Sequence, residues 1–173
     1  MNEIFKYDFY RNTGNRYTLT KFIYWFIYDY RIRYLFFYRL KKRNIIKRLI
    51  MHKMARKYGL EIYNESGKGL YLGHAHNINV NPNAKIGKRC NLHKGVTIGI
   101  ESRGKRKGTP TIGDSVWIGV NATIVGKIKI GNDVMIAPNS YVNCDIPSHS
   151  IVIGNPCIIK HKDNATDKYI INT

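Results

Sequence analysis

The sequence has few acidic residues, few cysteines and no long apolar run, and each shortage excludes a class of protein. Its 173 residues contain 11 Asp and Glu against 29 Lys and Arg, so the net charge is +18. Three cysteines without paired spacing predict reduced thiols in a cytosolic protein rather than a disulfide framework. The longest hydrophobic stretch, Phe22 to Tyr28, is far shorter than the about 20 residues that cross a bilayer. We expect neither a spanning helix nor a secretory signal.

Length and charge distribution divide the chain into unequal parts. A chain of 173 residues accommodates one domain with an appendage and excludes a second large domain. Residues 1–60 contain 15 basic and three acidic side chains, which is two thirds of the positive excess. We therefore expect a helical leader at 1–60, a main domain at 61–158 with an inserted loop at 100–111, and a C-terminal tail at 159–173.

The leader lacks glycine and proline between residues 18 and 58, which favours helices. We predict two, the second ending at Tyr58 before Gly59. Aromatic and basic residues alternate closely in the first, and two interpretations of residues 18–58 stay open. The helices pack on the main domain or on symmetry mates, or they lie in the headgroup layer of an anionic membrane. Nucleic-acid binding is disfavoured because no recognition motif accompanies the charge.

An apolar residue returns at every sixth position of the main domain. The series comprises Ile86, Leu92 and Ile98, and then Ile112, Ile118, Ile124, Ile130, Ile136 and Val142. Six residues form one short strand and one corner, so three such units close a triangular coil on which the next coil stacks. This period predicts a mainly β protein, a parallel β-helix. A sandwich would instead require strict alternation with turn signals every 8–12 residues.

A second set of small or β-branched residues follows each of these positions by four. It comprises Cys90, Val96, Val116, Ala122, Ile128, Val134, Ser140 and Ile146. Both sets are expected to point into a narrow core. Gly or Ala often follows the leading aliphatic residue, as at Gly119 and Ala137, where the chain turns a tight corner.

Two interruptions of the repeat are candidates for function. Residues 100–110 form a basic, polar insertion, and insertions in stacked repeats commonly shape a binding face. His74 and His76 stand at a corner just before the regular repeats begin. We expect no metal there, because zinc needs three or four ligands and no such spacing accompanies the pair. Catalysis by His74 and a structural imidazole are the remaining alternatives.

Three segments carry a resemblance to a known family. These are Gly69–Ile78, Asn91–Gly99 and the closing Ile153–Pro156. Across residues 60–160 the chain resembles serine acetyltransferase and its polysaccharide-modifying relatives, in the hexapeptide-repeat acyltransferase superfamily. The stretch around Asp8–Arg11 also looks like the short helical leader of those relatives.

The resemblance implies a left-handed β-helix, a homotrimer and active sites in grooves between subunits, with acetyl-CoA along each groove. His74 matches the catalytic histidine, a general base on the acceptor hydroxyl. Glu61, rather than Glu65, is the better match for the carboxylate that orients this histidine. His76 and His93 are expected in the acceptor wall.

Departures from the family pattern bear on substrates. Thr109 stands where the serine enzyme has an acceptor-binding histidine, which argues for a sugar hydroxyl, and we place Thr109 at the acceptor. The closing motif lacks an arginine, so Lys160 and Lys162 are the expected partners of the donor's phosphates, with Lys127 or Lys129 from a neighbouring coil as the alternative. Gly119 and Ala137 match corners that border the pantetheine arm.

We therefore predict an acetyl-CoA-dependent O-acetyltransferase acting on a sugar in surface polysaccharide biosynthesis. It would be cytoplasmic or peripheral at the inner face of the membrane. The alternatives are a serine O-acetyltransferase of cysteine biosynthesis and a non-enzymatic trimeric scaffold that binds a membrane or a protein.

Overall fold

A computed structural model describes residues 2–40 and 45–173 and consists of four helices followed by a parallel β-coil. The helices are α1 (Glu3–Thr13), α2 (Leu19–Tyr28), α3 (Tyr30–Arg39) and α4 (Ile45–Tyr58). The strands are β1 (Leu60–Ile62), β2 (Tyr71–Gly73), β3 (Ile78–Val80), β4 (Lys85–Ile86), β5 (Asn91–His93), β6 (Thr97–Gly99), β7 (Thr111–Ile112), β8 (Val116–Ile118), β9 (Thr123–Val125), β10 (Lys129–Ile130), β11 (Val134–Ile136), β12 (Tyr141–Val142), β13 (Ser150–Ile153) and β14 (Ile158–His161).

Successive strands belong to three different sheets, which form the three sides of a left-handed β-helix of about five turns. The first sheet has the order β1-β3-β6-β9-β12, the second β10-β7-β4 and the third β14-β13-β11-β8-β5-β2. All neighbours pair in parallel except the final pair, β13 and β14. The predicted fold class is therefore confirmed.

The interior of the coil confirms the six-residue period. Every member of both predicted apolar sets is at most 5% exposed, including the small Ser140 at 1%. The corners are formed by stacked left-handed residues such as Asn77, Asn121 and Asn139, whose φ angles lie between 53° and 59°. Asn tolerates this conformation better than most residues, which is why it recurs where the chain turns.

The leader contains one helix more than predicted at its start and one break that the sequence pattern does not reveal. α1 begins after Asn2, whose side chain accepts from the Ile4 amide, and ends at Gly14 in the left-handed conformation. The expected first helix divides at Asp29, which adopts an extended conformation and caps α3 by accepting from the Arg31 amide. The predicted end of α4 at Tyr58 is confirmed.

Buried polar contacts attach α1 to the coil just before β2. Asp8, fully buried, accepts hydrogen bonds from the Gly69 and Leu70 amides and from Arg39 Nε at 2.6 Å. Asn12 bonds the carbonyl of Leu70 and the amide of the central β2 residue. The leader is thereby joined to the strand that ends beside His74.

The last residues return along the third sheet towards the leader. Tyr169 packs on Trp117 with a centroid separation of 5.1 Å, and the carbonyl of Ile171 accepts from Arg11 at 2.8 Å. α2 differs from the other helices because none of its side chains is buried. None of the helices in the described ranges is long and apolar enough to span a bilayer.

Candidate active site

His74 lies in the turn between β2 and β3, at the corner that joins the third and first sheets. Its backbone has a positive φ of 48°, and its side chain is exposed. Two main-chain hydrogen bonds hold this turn against the neighbouring coil. The Lys94 amide donates to the Gly73 carbonyl at 3.0 Å, and the Gly95 amide donates to the His76 carbonyl at 2.9 Å. In the part of the chain that is described, nothing hydrogen-bonds the His74 ring, so both nitrogens are available to a ligand.

Glu61 lies outward on β1, and its carboxylate accepts from Asn79 Nδ2 at 3.1 Å. The strand register places these two residues side by side on β1 and β3. Neither a hydrogen bond nor an ion pair joins Glu61 to His74 among the described residues. The orienting contact expected between them is therefore not made in this structure, where the carboxylate instead accepts from Asn79.

His93, at the end of β5, lies directly beside Gly73 in the parallel register. Its Nδ1 is 2.9 Å from the Ile118 carbonyl, and its ring is 4.7 Å from the Trp117 ring between centroids. Partial burial lowers the His93 pKa, and nearby His74 lowers it further. The structure thus brings the predicted His93 to the His74 corner.

His76 points from the same turn towards the leader. Its Nδ1 is 3.1 Å from the hydroxyl of Tyr30, and its ring also meets that of Tyr58. Burial raises the Tyr30 pKa, so this hydroxyl stays protonated at neutral pH and is available as a donor to His76. Within this chain His76 therefore contacts the helical leader, through Tyr30 of α3 and Tyr58 of α4.

Gly119 and Ala137 continue the row that Gly73 and His93 begin. They follow β8 and β11 immediately, and the register of the third sheet places them successively beyond His93. A Cβ on Gly119 would lie 2.6 Å from the backbone nitrogen of Pro138, so stacking of the coils alone requires glycine there. The row nevertheless has small residues leading away from the His74 corner.

Lys160 and Lys162 are exposed at the far end of the third sheet. Lys160 is part of β14, and five strand steps separate it from β2, which corresponds to roughly 24 Å at about 4.8 Å a step. Only an extended ligand running along the coil reaches both His74 and these lysines. The closing turn also brings Cys144 Sγ to 3.8 Å from Cys157 Sγ.

Thr109 lies at a different corner. The loop that carries it leaves β6 of the first sheet and returns as β7 of the second, whereas His74 links the third sheet to the first. The Thr109 hydroxyl donates to the Asn83 carbonyl at 3.1 Å. Within one chain the structure does not bring Thr109 to His74.

Several residues at the corner were missed from the sequence. Arg31 donates to the Leu72 carbonyl at 3.3 Å and forms a pair with Asp29 at 2.7 Å, and Tyr30 reaches His76 as described. Trp117 lies beside His93. Leader residues have no repeat context from which to infer such contacts, but Trp117 was accessible to prediction because it occupies an outward register position on β8. Across the described ranges, no three potential metal ligands gather.

Comparison with known proteins agrees with this architecture. The family model described as bacterial transferase hexapeptide (six repeats) matches residues 109–144. Serine acetyltransferase 4 of Arabidopsis thaliana is 37% identical over 118 residues, which cover 66% of this chain and 33% of that protein. The serine acetyltransferase of Staphylococcus xylosus is 33% identical, with coverages of 71% and 58%.

Solved structures give the same result. The Neisseria gonorrhoeae serine acetyltransferase has a TM-score of 0.60 at 32% identity, and the match covers 68% of this chain and 46% of that protein's chain. The soybean apoenzyme has a TM-score of 0.64 at 26% identity, with coverages of 90% and 66%. The chain spans between a third and three fifths of the length of these curated relatives.

These comparisons confirm the resemblance to serine acetyltransferase-like hexapeptide proteins. They also bear on the two predicted acceptors. The relatives carry the name of the serine enzyme, so they favour the alternative, serine, and lend no support to the polysaccharide acceptor inferred from Thr109.

Proposed function

Since this chain is a hexapeptide-repeat protein similar to the serine acetyltransferases, we propose that it transfers an acetyl group from acetyl-CoA to the hydroxyl of serine. The observation that carries the proposal is the exposed His74 ring, held at a coil corner without a hydrogen-bond partner in the described chain. A sugar hydroxyl is the second candidate acceptor, because Thr109 stands where the serine enzyme has an acceptor-binding histidine; the Thr109 hydroxyl donates to the Asn83 carbonyl in this structure.

In this reaction His74 accepts the proton of the acceptor hydroxyl as its oxygen attacks the thioester carbonyl. The resulting tetrahedral intermediate collapses by breaking the carbon–sulfur bond, and the imidazolium returns the proton to the departing thiolate. Histidine suits both steps because its ring exchanges protons near neutral pH. Glu61 would orient the ring if its carboxylate, which already accepts from Asn79 on the neighbouring strand, also accepted a hydrogen bond from His74.

The row of small residues beyond His93 supports a path for the donor along the third sheet. Gly119 and Ala137 project little or no side chain into this row, so an extended pantetheine arm would pass over them. Lys160 and Lys162 would then meet the phosphates at the far end, since cations are the ordinary partners of phosphate oxygens. The roughly 24 Å between β2 and β14 suits an elongated ligand of this kind.

We place the active site between subunits of a homotrimer. Thr109 and His74 occupy different corners of one triangular coil, so a neighbouring chain is needed to bring the 100–111 loop to the base. This arrangement also makes the loop's basic residues available to the donor. Sedimentation velocity tests the assembly: we expect a trimer, and a monomer at micromolar concentration that retains full activity would contradict it.

The catalytic proposal is tested by measuring CoA release from acetyl-CoA with L-serine and with a panel of methyl glycosides. We expect release with serine that exceeds the hydrolysis background. His74→Asn should lower kcat by about 10² to 10⁴, the usual contribution of a general base. His52→Asn, which alters an exposed histidine on α4, is the matched control. Equal rates for His74→Asn and the wild type would remove His74 from the chemistry.

Contact with an anionic membrane is proposed for α2. Ile23, Ile27 and Tyr28 are 50–72% exposed on this apolar helix. All three acidic residues of the leader are engaged with basic ones, which leaves a large cationic excess. Such charge disfavours packing against a second identical leader and favours anionic lipid.

Vesicle co-sedimentation tests this contact. Phosphatidylglycerol vesicles should retain the protein and phosphatidylcholine vesicles should not, and Ile27→Glu should abolish retention while leaving catalysis intact. Retention that ignores lipid charge, or a variant that binds as well as the wild type, would contradict it.

A further inference from the structure

The Nε2 atom of His93 is a polar atom without a partner beside the His74 corner. No described residue hydrogen-bonds it. The buried side-chain atoms that lack partners in the described chain are Arg11 Nε and Asn64 Oδ1, so Nε2 of His93 is not sealed from solvent. An accessible and unused nitrogen next to a candidate base is available to a substrate.

The contact on the opposite side of the ring determines which nitrogen carries the proton. A carbonyl oxygen only accepts, so the 2.9 Å contact with Ile118 requires hydrogen on Nδ1 of His93. Partial burial lowers the His93 pKa; the Ile118 contact raises it and the neighbouring His74 lowers it, and the net direction is downward, which favours the neutral ring at neutral pH. In a neutral ring protonated at Nδ1, Nε2 presents a lone pair and accepts hydrogen bonds.

Gly73 is what permits this position of the ring. A Cβ at residue 73 would lie 2.3 Å from Cδ2 and 2.6 Å from Nε2 of His93, so any side chain there would displace the imidazole. The same glycine immediately precedes His74. The edge of His93 that bears Nε2 therefore lies against the strand end from which the base projects.

We propose that His93 determines acceptor specificity: its Nε2 accepts a hydrogen bond from an N–H or O–H group adjacent to the hydroxyl that is acetylated. The inference rests on the proposed acetyl transfer. In serine this donor is the ammonium group, and in a sugar it is a neighbouring hydroxyl. A carboxylate is not recognised here because it has no proton to donate.

A substrate–variant cycle tests the inference. L-serine is compared with 3-hydroxypropanoate, which lacks the ammonium group, and a methyl glycoside with its monodeoxy analogues. In the wild type, removal of the adjacent donor should lower kcat/KM by about tenfold, as expected for one hydrogen bond. His93→Phe preserves a ring beside Trp117. With the complete acceptor its kcat/KM should be about tenfold below that of the wild type, and with the truncated acceptor it should equal that of the wild type.

Other variants control the result. His93→Gln retains an accepting oxygen and should restore part of the discrimination. Gly73→Ala should abolish the discrimination by displacing the His93 ring. This variant replaces His93→Phe in the test if circular dichroism shows that His93→Phe unfolds at a lower temperature than the wild type. His52→Phe should behave as the wild type, and the KM for acetyl-CoA should stay constant throughout.

The possible failures are distinguishable. A penalty for donor removal that is equally large in His93→Phe and the wild type, in both acceptor series, would overturn the role of His93 and leave acetyl transfer intact. Absence of acceptor-dependent CoA release by the wild type would overturn the proposed function and this inference with it. The pair of substrates that carries the penalty identifies the donor as ammonium or hydroxyl.

Discussion

Asp8→Ala should weaken the attachment of the leader to the coil far more than its position in a terminal helix implies. The Asp8 carboxylate is fully buried and binds two main-chain amides, at 2.7 and 2.9 Å, in addition to Arg39. Removing one partner of a buried pair costs about 3–5 kcal/mol. Because Arg39 keeps its bonds to the carbonyls of Ser66 and Gly67, we expect the lower figure, about 3 kcal/mol.

Thermal and urea unfolding, followed by circular dichroism at one protein concentration, measure this loss. For a chain of this size, about 3 kcal/mol lowers Tm by roughly 6–12 °C. Glu3→Ala is the matched control, because its ion pair with Lys6 is on the same helix but 83% exposed on the Glu side. It should leave Tm unchanged. Equal Tm values for Asp8→Ala and the Glu3→Ala control would refute the claim that buried Asp8 stabilises the attachment of α1 to the coil.

Two further predictions concern the coil. Gly119→Val should destabilise the protein by about 1–3 kcal/mol through overpacking, because its Cβ would lie 2.6 Å from the Pro138 nitrogen; an unchanged melting curve would contradict this. Cys90 is fully buried, and burial raises its pKa to about 12, so iodoacetamide should modify the other two cysteines first in the native protein. Mass spectrometry of the labelled peptides decides this, and equal labelling of Cys90 would contradict the core assignment.

The coil could be predicted because its pattern is local and repeated. Each six-residue unit places two residues inward, a leading aliphatic residue and a small or β-branched one four places later, so residues such as Ile118, Ile124 and Ile136 define both the fold and the register. The row from His93 through Gly119 follows from the same register. Once the period is known, every side chain has a predictable direction.

The leader and the partners of the site could not be predicted in the same way. The break at Asp29 depends on one side chain that caps α3 in competition with an otherwise continuous helical pattern. The hydrogen bond from Asn79 to Glu61 joins two side chains on neighbouring strands, and the period predicts their register but not which polar group the carboxylate binds. Thr109 was assigned to the acceptor by resemblance, yet its corner is separate from that of His74 in one chain.

The central claim is that His74 marks an acetyl-transfer site served by a donor lying along the third sheet. A crystal structure of the protein with CoA bound tests it most directly. We predict a trimer in which the thiol sulfur lies within hydrogen-bond reach of the His74 ring, the pantetheine arm passes Gly119 and Ala137, and the phosphates approach Lys160. CoA bound at another corner, with its thiol remote from His74, would contradict the account.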